Sequence, residues 1–245
     1  MLSGVIEFCS RMQEDFLEQS RHVNSCAGCF ALFFLSFVFF TILFSCIFLL
    51  LRIQMPVSTL FTGWVAASFV TAVFLRNMKK LILCISVCSC VLFCFYLLST
   101  LYPDYSIDGP LYHQSVSEAL RQGKNIFFET TGNFWGDVYP KAHVIFAGEA
   151  SKLLPHINSA AFLDCILAAG VFFYCLYCGK QLGVIGRLTW ICAFLFALHP
   201  VAIQQIYTYY VDSVVYFCSF FIMASTILMI SNSDAKLDKR ACGSR

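Results

Sequence analysis

Long uncharged apolar runs set the pattern of the chain. Cys26 to Leu51 carries no charged residue and stops at Arg52, and Val57 to Leu75 carries none and is closed by Arg76, Lys79 and Lys80. Leu81 to Tyr102 is a third run, Ser159 to Cys178 a fourth with Asp164 near its start, and Val211 to Ile230 a sixth. Between these last two, Leu188 to Leu198 is short unless Gly183 to Arg187 and His199 extend it. Each full run is near the roughly 20 residues with which a helix crosses about 30 Å of hydrocarbon. A span in lipid must satisfy its own backbone hydrogen bonds, so each is expected to be helical. The pattern therefore predicts an all-α, polytopic transmembrane bundle of about six spans. Three lie within residues 26–102 and three within 159–231, separated by a polar loop over 103–158.

Charge orients this bundle. With the N-terminus placed on one face, that face holds eleven of the sixteen Lys and Arg residues, among them Arg11, Arg21, Arg76, Lys79, Lys80, Lys180 and Arg187. The other face holds Arg52, Arg121, Lys124, Lys141 and Lys152. The bias places both termini in the cytoplasm and the 103–158 loop on the outer side. Residues 1–25 are too polar, and the first apolar run too long, for a cleaved signal peptide. They read as a short amphipathic cytoplasmic helix before an uncleaved anchor, and 232–245 as a charged cytoplasmic tail.

Composition agrees with a bilayer as the solvent: 59% of residues are hydrophobic and only 12% charged, where a soluble domain is nearer half and a quarter. The net charge of +2 leaves no basic footprint for nucleic acid. Most of the 14 cysteines lie inside predicted spans, where Cys acts as a small apolar residue. Cys26/Cys29 and Cys175/Cys178 have CxxC spacing, but neither pair has a partner pair or His at zinc-binding distance, so no metal site is assigned.

Candidate chemistry collects in the loop. Asp108 can cap a helix that has Pro110 in its first turn. Tyr112, Val116, Ala119 and Leu120 then share one apolar face, and Gly123 ends the helix. Such a helix can lie along the membrane interface, and a second amphipathic turn is expected from Phe146, Ala150, Leu153 and Leu154. Besides capping, Asp108 is a carboxylate held above the bilayer beside His113 and Tyr112, suited to act as a general base or to bind a cation. Trp135 and Tyr139 suit an interfacial belt, while Lys141 and His143 can meet an anionic phosphate. Equally, 133–143 is a solvated loop anchored by its aromatics. Further on, Pro200 breaks or kinks the fifth helix. Asp212 opens the last span, where a carboxylate is favoured by the helix dipole. Asp164, inside a predicted span, is a functional candidate by its position alone.

Three segments resemble the polytopic GT-C glycosyltransferases, especially bacterial members: Asp108-Gly-Pro-Leu-Tyr-His-Gln with Leu120-Arg-Gln-Gly-Lys-Asn, Tyr139-Pro-Lys-Ala-His, and His199-Pro-Val-Ala-Ile-Gln-Gln-Ile-Tyr-Thr-Tyr-Tyr-Val-Asp. The resemblance implies a bacterial-type inner membrane enzyme that moves a sugar from a polyprenyl-phosphate donor to a glycan, lipid or protein acceptor. A carboxylate in the first large outer loop would be the base, and a divalent cation (Mg or Mn) optional. Carried over, Asp108 matches the base, with Asp104 as the fallback. Tyr112, His113, Tyr139, Lys141, His143 and Asp212 match the substrate-binding neighbours. The superfamily usually has eight or more spans, and many members place the large loop after the first. The alternative expectation is therefore a non-catalytic accessory or transporter-like protein, or an inactive fragment of such an enzyme.

Overall fold

The computed structural model describes residues 26–53, 58–75, 77–101, 104, 106–107, 109–153, 159–184, 186–206 and 208–242, with side chains in the last helix described as far as Ser233. The N-terminal segment, Asp108 and part of the C-terminal tail lie outside the described residues. Every described element is helical, and the chain is an all-α polytopic membrane bundle.

Five helices are long and apolar enough to cross a membrane: α1 (Cys26–Leu50), α3 (Met78–Leu101), α7 (Ser159–Gln181), α8 (Gly186–Ala197) continued by α9 (Pro200–Gln205), and α10 (Asp212–Cys242). The second apolar run forms the shorter helix α2 (Leu60–Phe74), only 15 residues and so about 22 Å long. It nevertheless reaches from one end of the bundle to the other. Thr59 before it meets the loop, and the turn after Leu75 leads into α3 at the far end.

The passes alternate. Antiparallel α1 and α2 meet at small residues: Ser45 and Thr59 share a hydrogen bond of 2.6 Å. A Cβ on Gly63 would overlap the Thr41 hydroxyl, so the backbones approach as small-residue helix pairs do in lipid. Parallel α7 and α10 are joined by Asp164 to Ser213 (2.9 Å) and Tyr174 to Ser225 (2.7 Å), with Gly170 against Phe221 between. The alternation brings Cys26 and Ser233 to the same end, opposite the loop. Phenylalanine fills the shared centre: Phe30 and Phe34 of α1 pack on Phe173 of α7, and Phe37 on Phe146. Cys29, Cys84 and Cys88 are buried in this same apolar core.

The fifth pass settles a boundary that periodicity left open. Backbone helix breaks at His199, and Pro200 then begins α9 at its first position, where its missing N–H costs nothing. Together α8 and α9 give a 20-residue span, Gly186–Gln205.

Between α3 and α7 the described residues form four short helical elements. A π-turn (Gly109–His113) leads into α4 (Gln114–Arg121), followed by α5 (Phe134–Val138) and α6 (Ala142–Ser151). The first helix is amphipathic as expected, burying Val116, Ala119 and Leu120. It ends at Gly123, whose φ of 87° suits glycine, with Lys124 N–H donating to Ala119 O. The second helix differs from the interfacial turn that the sequence suggested. Every residue of α6 from His143 to Ser151 is buried, because the helix is inserted between the loop ends of α1, α4 and α7. Leu153, just past its end, is exposed, and Leu154 lies outside the described residues. Glu149 explains the insertion. Fully buried, it accepts the Thr59 N–H at 2.9 Å, which gives a free N–H at the start of α2 its partner, and it pairs with Lys152 at 2.7 Å. The Ser58 hydroxyl donates to its carbonyl at 2.8 Å.

Candidate functional site

The loop and the link before α10 bring together residues from three distant stretches. His113, at the end of the π-turn, is buried. Its ring lies 4.4 Å from Tyr112, 5.6 Å from Tyr139, 6.0 Å from His143 and 6.5 Å from Tyr209, centre to centre. Tyr112 stacks on Tyr139 at 5.2 Å, and His143 meets Tyr209 edge-on at 5.8 Å. Each is positioned by its own element. The π-turn presents Tyr112 and His113, the residues between α5 and α6 present Tyr139, and the first turn of α6 presents His143.

Asp104 locks the third stretch to the first. One carboxylate oxygen accepts the Tyr209 N–H at 3.0 Å and the other the Ser106 N–H at 2.7 Å. Gly109 passes so close that a Cβ there would overlap the Asp104 carboxylate and come within 2.7 Å of the Ser106 hydroxyl. Asp104 thus holds the entry to the π-turn against Tyr209. Asp108, the carboxylate favoured as base, lies outside the described residues, one residue before Gly109.

Electrostatics sharpen His143. It is 4% exposed, and neither ring nitrogen has a hydrogen-bond partner among the described residues. Burial, with a smaller contribution from nearby His113, lowers its pKa from 6.5 to about 3. The ring is therefore neutral at ordinary pH, one nitrogen a donor and the other an acceptor.

Lys141 is turned inward. Its ammonium donates to the carbonyls of Gly136 (2.5 Å) and Asp137 (2.9 Å), closing the C-terminal turn of α5. Burial lowers its pKa, opposed by the Asp137 charge. Asp137 is itself held below the usual carboxylate range, first by the Thr131 N–H, then by the Thr131 hydroxyl and Lys141. Asp212 is exposed and accepts from Gln205 at 3.3 Å; the member of its segment that joins the cluster is Tyr209. The neighbouring Ser213 bonds the buried Asp164. Tyr209 carries no distinguishing signal in a stretch with three other tyrosines within ten residues. Glu149 did have one, as a lone carboxylate in an otherwise apolar turn.

Beside the cluster lies a pocket of about 350 Å³, walled by Pro110, Gln114, Glu118, Arg121 and Tyr209. Among the described residues no three His, Cys, Asp or Glu side chains are grouped to hold a metal ion. Arranged this way, the site offers a neutral imidazole, stacked tyrosines and an adjoining pocket at the loop end of a membrane bundle.

No protein-family model matches the chain, and no match was found among the curated proteins or the solved structures.

Proposed function

We propose that the loop site transfers a sugar from a polyprenyl-phosphate donor to an acceptor hydroxyl at the outer face of the membrane, with Asp108 as general base. One observation carries this reading. The segments Asp108 to Gln114, Tyr139 to His143 and His199 to Asp212 resemble GT-C sequences one by one, and they are far apart in the chain. Yet their side chains converge on one cluster beside a pocket at the end of the spans. Stacked tyrosines suit a sugar face, and a neutral His143 can give and accept a hydrogen bond from a hydroxyl without adding charge. Asp108, immediately before Gly109, would take the acceptor's proton as its oxygen attacks the anomeric carbon. The lipid phosphate leaves with the bonding pair, in a single inverting displacement. The donor's isoprenoid tail would rest in the bilayer that surrounds the spans.

A second reading has its own support. Both Asp104 oxygens accept backbone N–H groups, and the Lys141 ammonium is taken up by carbonyls. A non-catalytic membrane protein with a loop plugged into its bundle would make the same bonds.

Asp108 variants separate the two. Asn keeps the capping oxygen but cannot act as a base. Asp108→Asn is expected to melt like the unaltered chain while losing about 10²- to 10⁴-fold in transfer. Asp108→Ala should lose activity and, with the cap, roughly 1 kcal/mol of stability. The measurement is transfer from polyprenyl-phosphate sugars in a membrane fraction, with a melting curve for each variant. Full activity in Asp108→Asn removes Asp108 from the chemistry. No transfer by the unaltered chain with a range of donors favours the non-catalytic reading.

A further inference from the structure

We propose that a second pocket, at the C-terminal end of α4 and so at the other end of that helix from His113, binds the phosphate of an anionic lipid headgroup. The pocket has a volume of about 440 Å³, within the range of small-molecule sites. Arg52, Lys124 and Lys152 line it together with Leu49, Asn125 and Phe128.

The convergence is selective. Among the described residues, the loop end of the molecule carries five basic residues. Two of the five are committed elsewhere: Arg121 pairs with Glu118, and Lys141 with backbone carbonyls. The other three all reach this pocket. Lys152 pairs with buried Glu149, but among the described residues neither Arg52 nor Lys124 ion-pairs with a carboxylate. Glu129, the one carboxylate in the lining, accepts the Asn125 N–H at 3.1 Å.

The backbone is built to hold these cations. Arg52 has φ of 56°, a left-handed conformation that is uncommon for a residue with a Cβ. It sits just past α1. Its N–H donates to Leu49 O at 3.1 Å and the Ile53 N–H to Phe48 O at 3.0 Å, the helix ending in which glycine is the ordinary choice. A cation is favoured at a helix C-terminus by the dipole, but that preference does not require an arginine in the strained position. The guanidinium lies 4.3 Å from the centre of the Phe128 ring, which orients it over the pocket. Asn125 closes the floor by donating to Leu49 O at 2.7 Å.

The rim names the source of the phosphate. Ile53 lines the pocket, and it and Leu50, Leu51 and Leu153, each next in the chain to a lining residue, are 49–63% exposed at the end of a spanning helix. An apolar rim at the end of a spanning helix suits acyl chains, and Arg52 and Lys124, which have no carboxylate partner among the described residues, suit the phosphate. The proposal does not depend on sugar transfer.

The test uses the whole protein in detergent. Phosphatidylglycerol or phosphatidylcholine is added, and the bound lipid is counted by native mass spectrometry for the unaltered chain, Arg52→Gly, Lys124→Gln, the double variant and Arg121→Gln. A second arm replaces lipid with inorganic phosphate and reads the melting temperature. Each of the first two substitutions should lower the preference for phosphatidylglycerol by about fivefold, the usual worth of one cation near an anionic surface, and Arg121→Gln should not. Without lipid, Arg52→Gly should melt no lower than the unaltered chain, since glycine suits its backbone. If Arg52→Gly melts early, Lys124→Gln, altered at an exposed side chain, decides. Protection by inorganic phosphate equal to that by the lipid would overturn the lipid assignment. A preference unchanged in the double variant, or lost equally in Arg121→Gln, would overturn the site.

Discussion

At the scale of single residues, His143 is the group whose environment has the clearest consequence. The folded protein holds its imidazole neutral down to about pH 3, whereas the unfolded chain takes up a proton near pH 6.5. Because the folded pKa is the lower one, the unfolded state binds more protons as pH falls through 6.5. Stability present above that pH is therefore lost progressively toward pH 3. Between pH 7 and pH 5 the loss should be about 2 kcal/mol. Melting curves at the two pH values should show this fall in the unaltered protein and a much smaller one in His143→Gln. An equal fall in both would mean that another group controls the acid sensitivity. His143 was visible in the sequence as a residue able to meet a phosphate. Its burial and its neighbours were not, because they depend on α6 entering the bundle and on Tyr209 arriving from nearly 70 positions downstream.

At the scale of elements, local periodicity foretold α4 and its glycine stop but misjudged α6. The spacing of Phe146, Ala150, Leu153 and Leu154 predicts one apolar face, and that signal alone fits a helix lying on the membrane, but Phe146 and Ala150 are fully buried and Leu153, past the helix end, is exposed. Glu149 reverses the outcome: it carries its charge inward and anchors the start of α2 through the Thr59 N–H. Glu149→Ala strands Lys152, whose side chain is only 15% exposed, and leaves the Thr59 N–H without its acceptor. Removing one partner of a buried ion pair costs roughly 3–5 kcal/mol. The variant should therefore melt well below the unaltered protein, and Lys152→Met should restore part of the loss by removing the stranded charge. Melting of Glu149→Ala within a degree or two of the unaltered chain would show that α6 is not held by this bond. The short α2 has a related explanation. Its close contact with α1 at Gly63 and its polar start at Thr59, tied into the loop, replace a longer apolar run.

At the scale of the whole molecule, the apolar runs made the bundle and its passes legible before any coordinate. Sidedness rests on the eleven-to-five division of basic residues and gives its own prediction. Reporter fusions after Lys80 and within Gly132 to Asp137 should report opposite faces of the membrane, and the same face for both would overturn the map of spans and the outer site with it. The convergence of the three loop segments was legible only in part. Their resemblance marked them one by one, while the joining contacts of Asp104 with Tyr209 and His113 with His143 arise from packing that no local pattern encodes.

The proposed chemistry requires that these segments form one site, and a kinetic cycle tests that most directly. Sugar transfer would be measured for the purified chain in liposomes holding polyprenyl-phosphate sugars. The variants compared are Asp108→Asn, His143→Gln and the two together. Residues acting as a unit lose activity non-additively. The double variant should therefore be little worse than Asp108→Asn alone, against an unaltered chain that transfers readily. Contradiction would come from an unaltered chain that transfers nothing from any donor, or from losses that multiply as they do for independent sites.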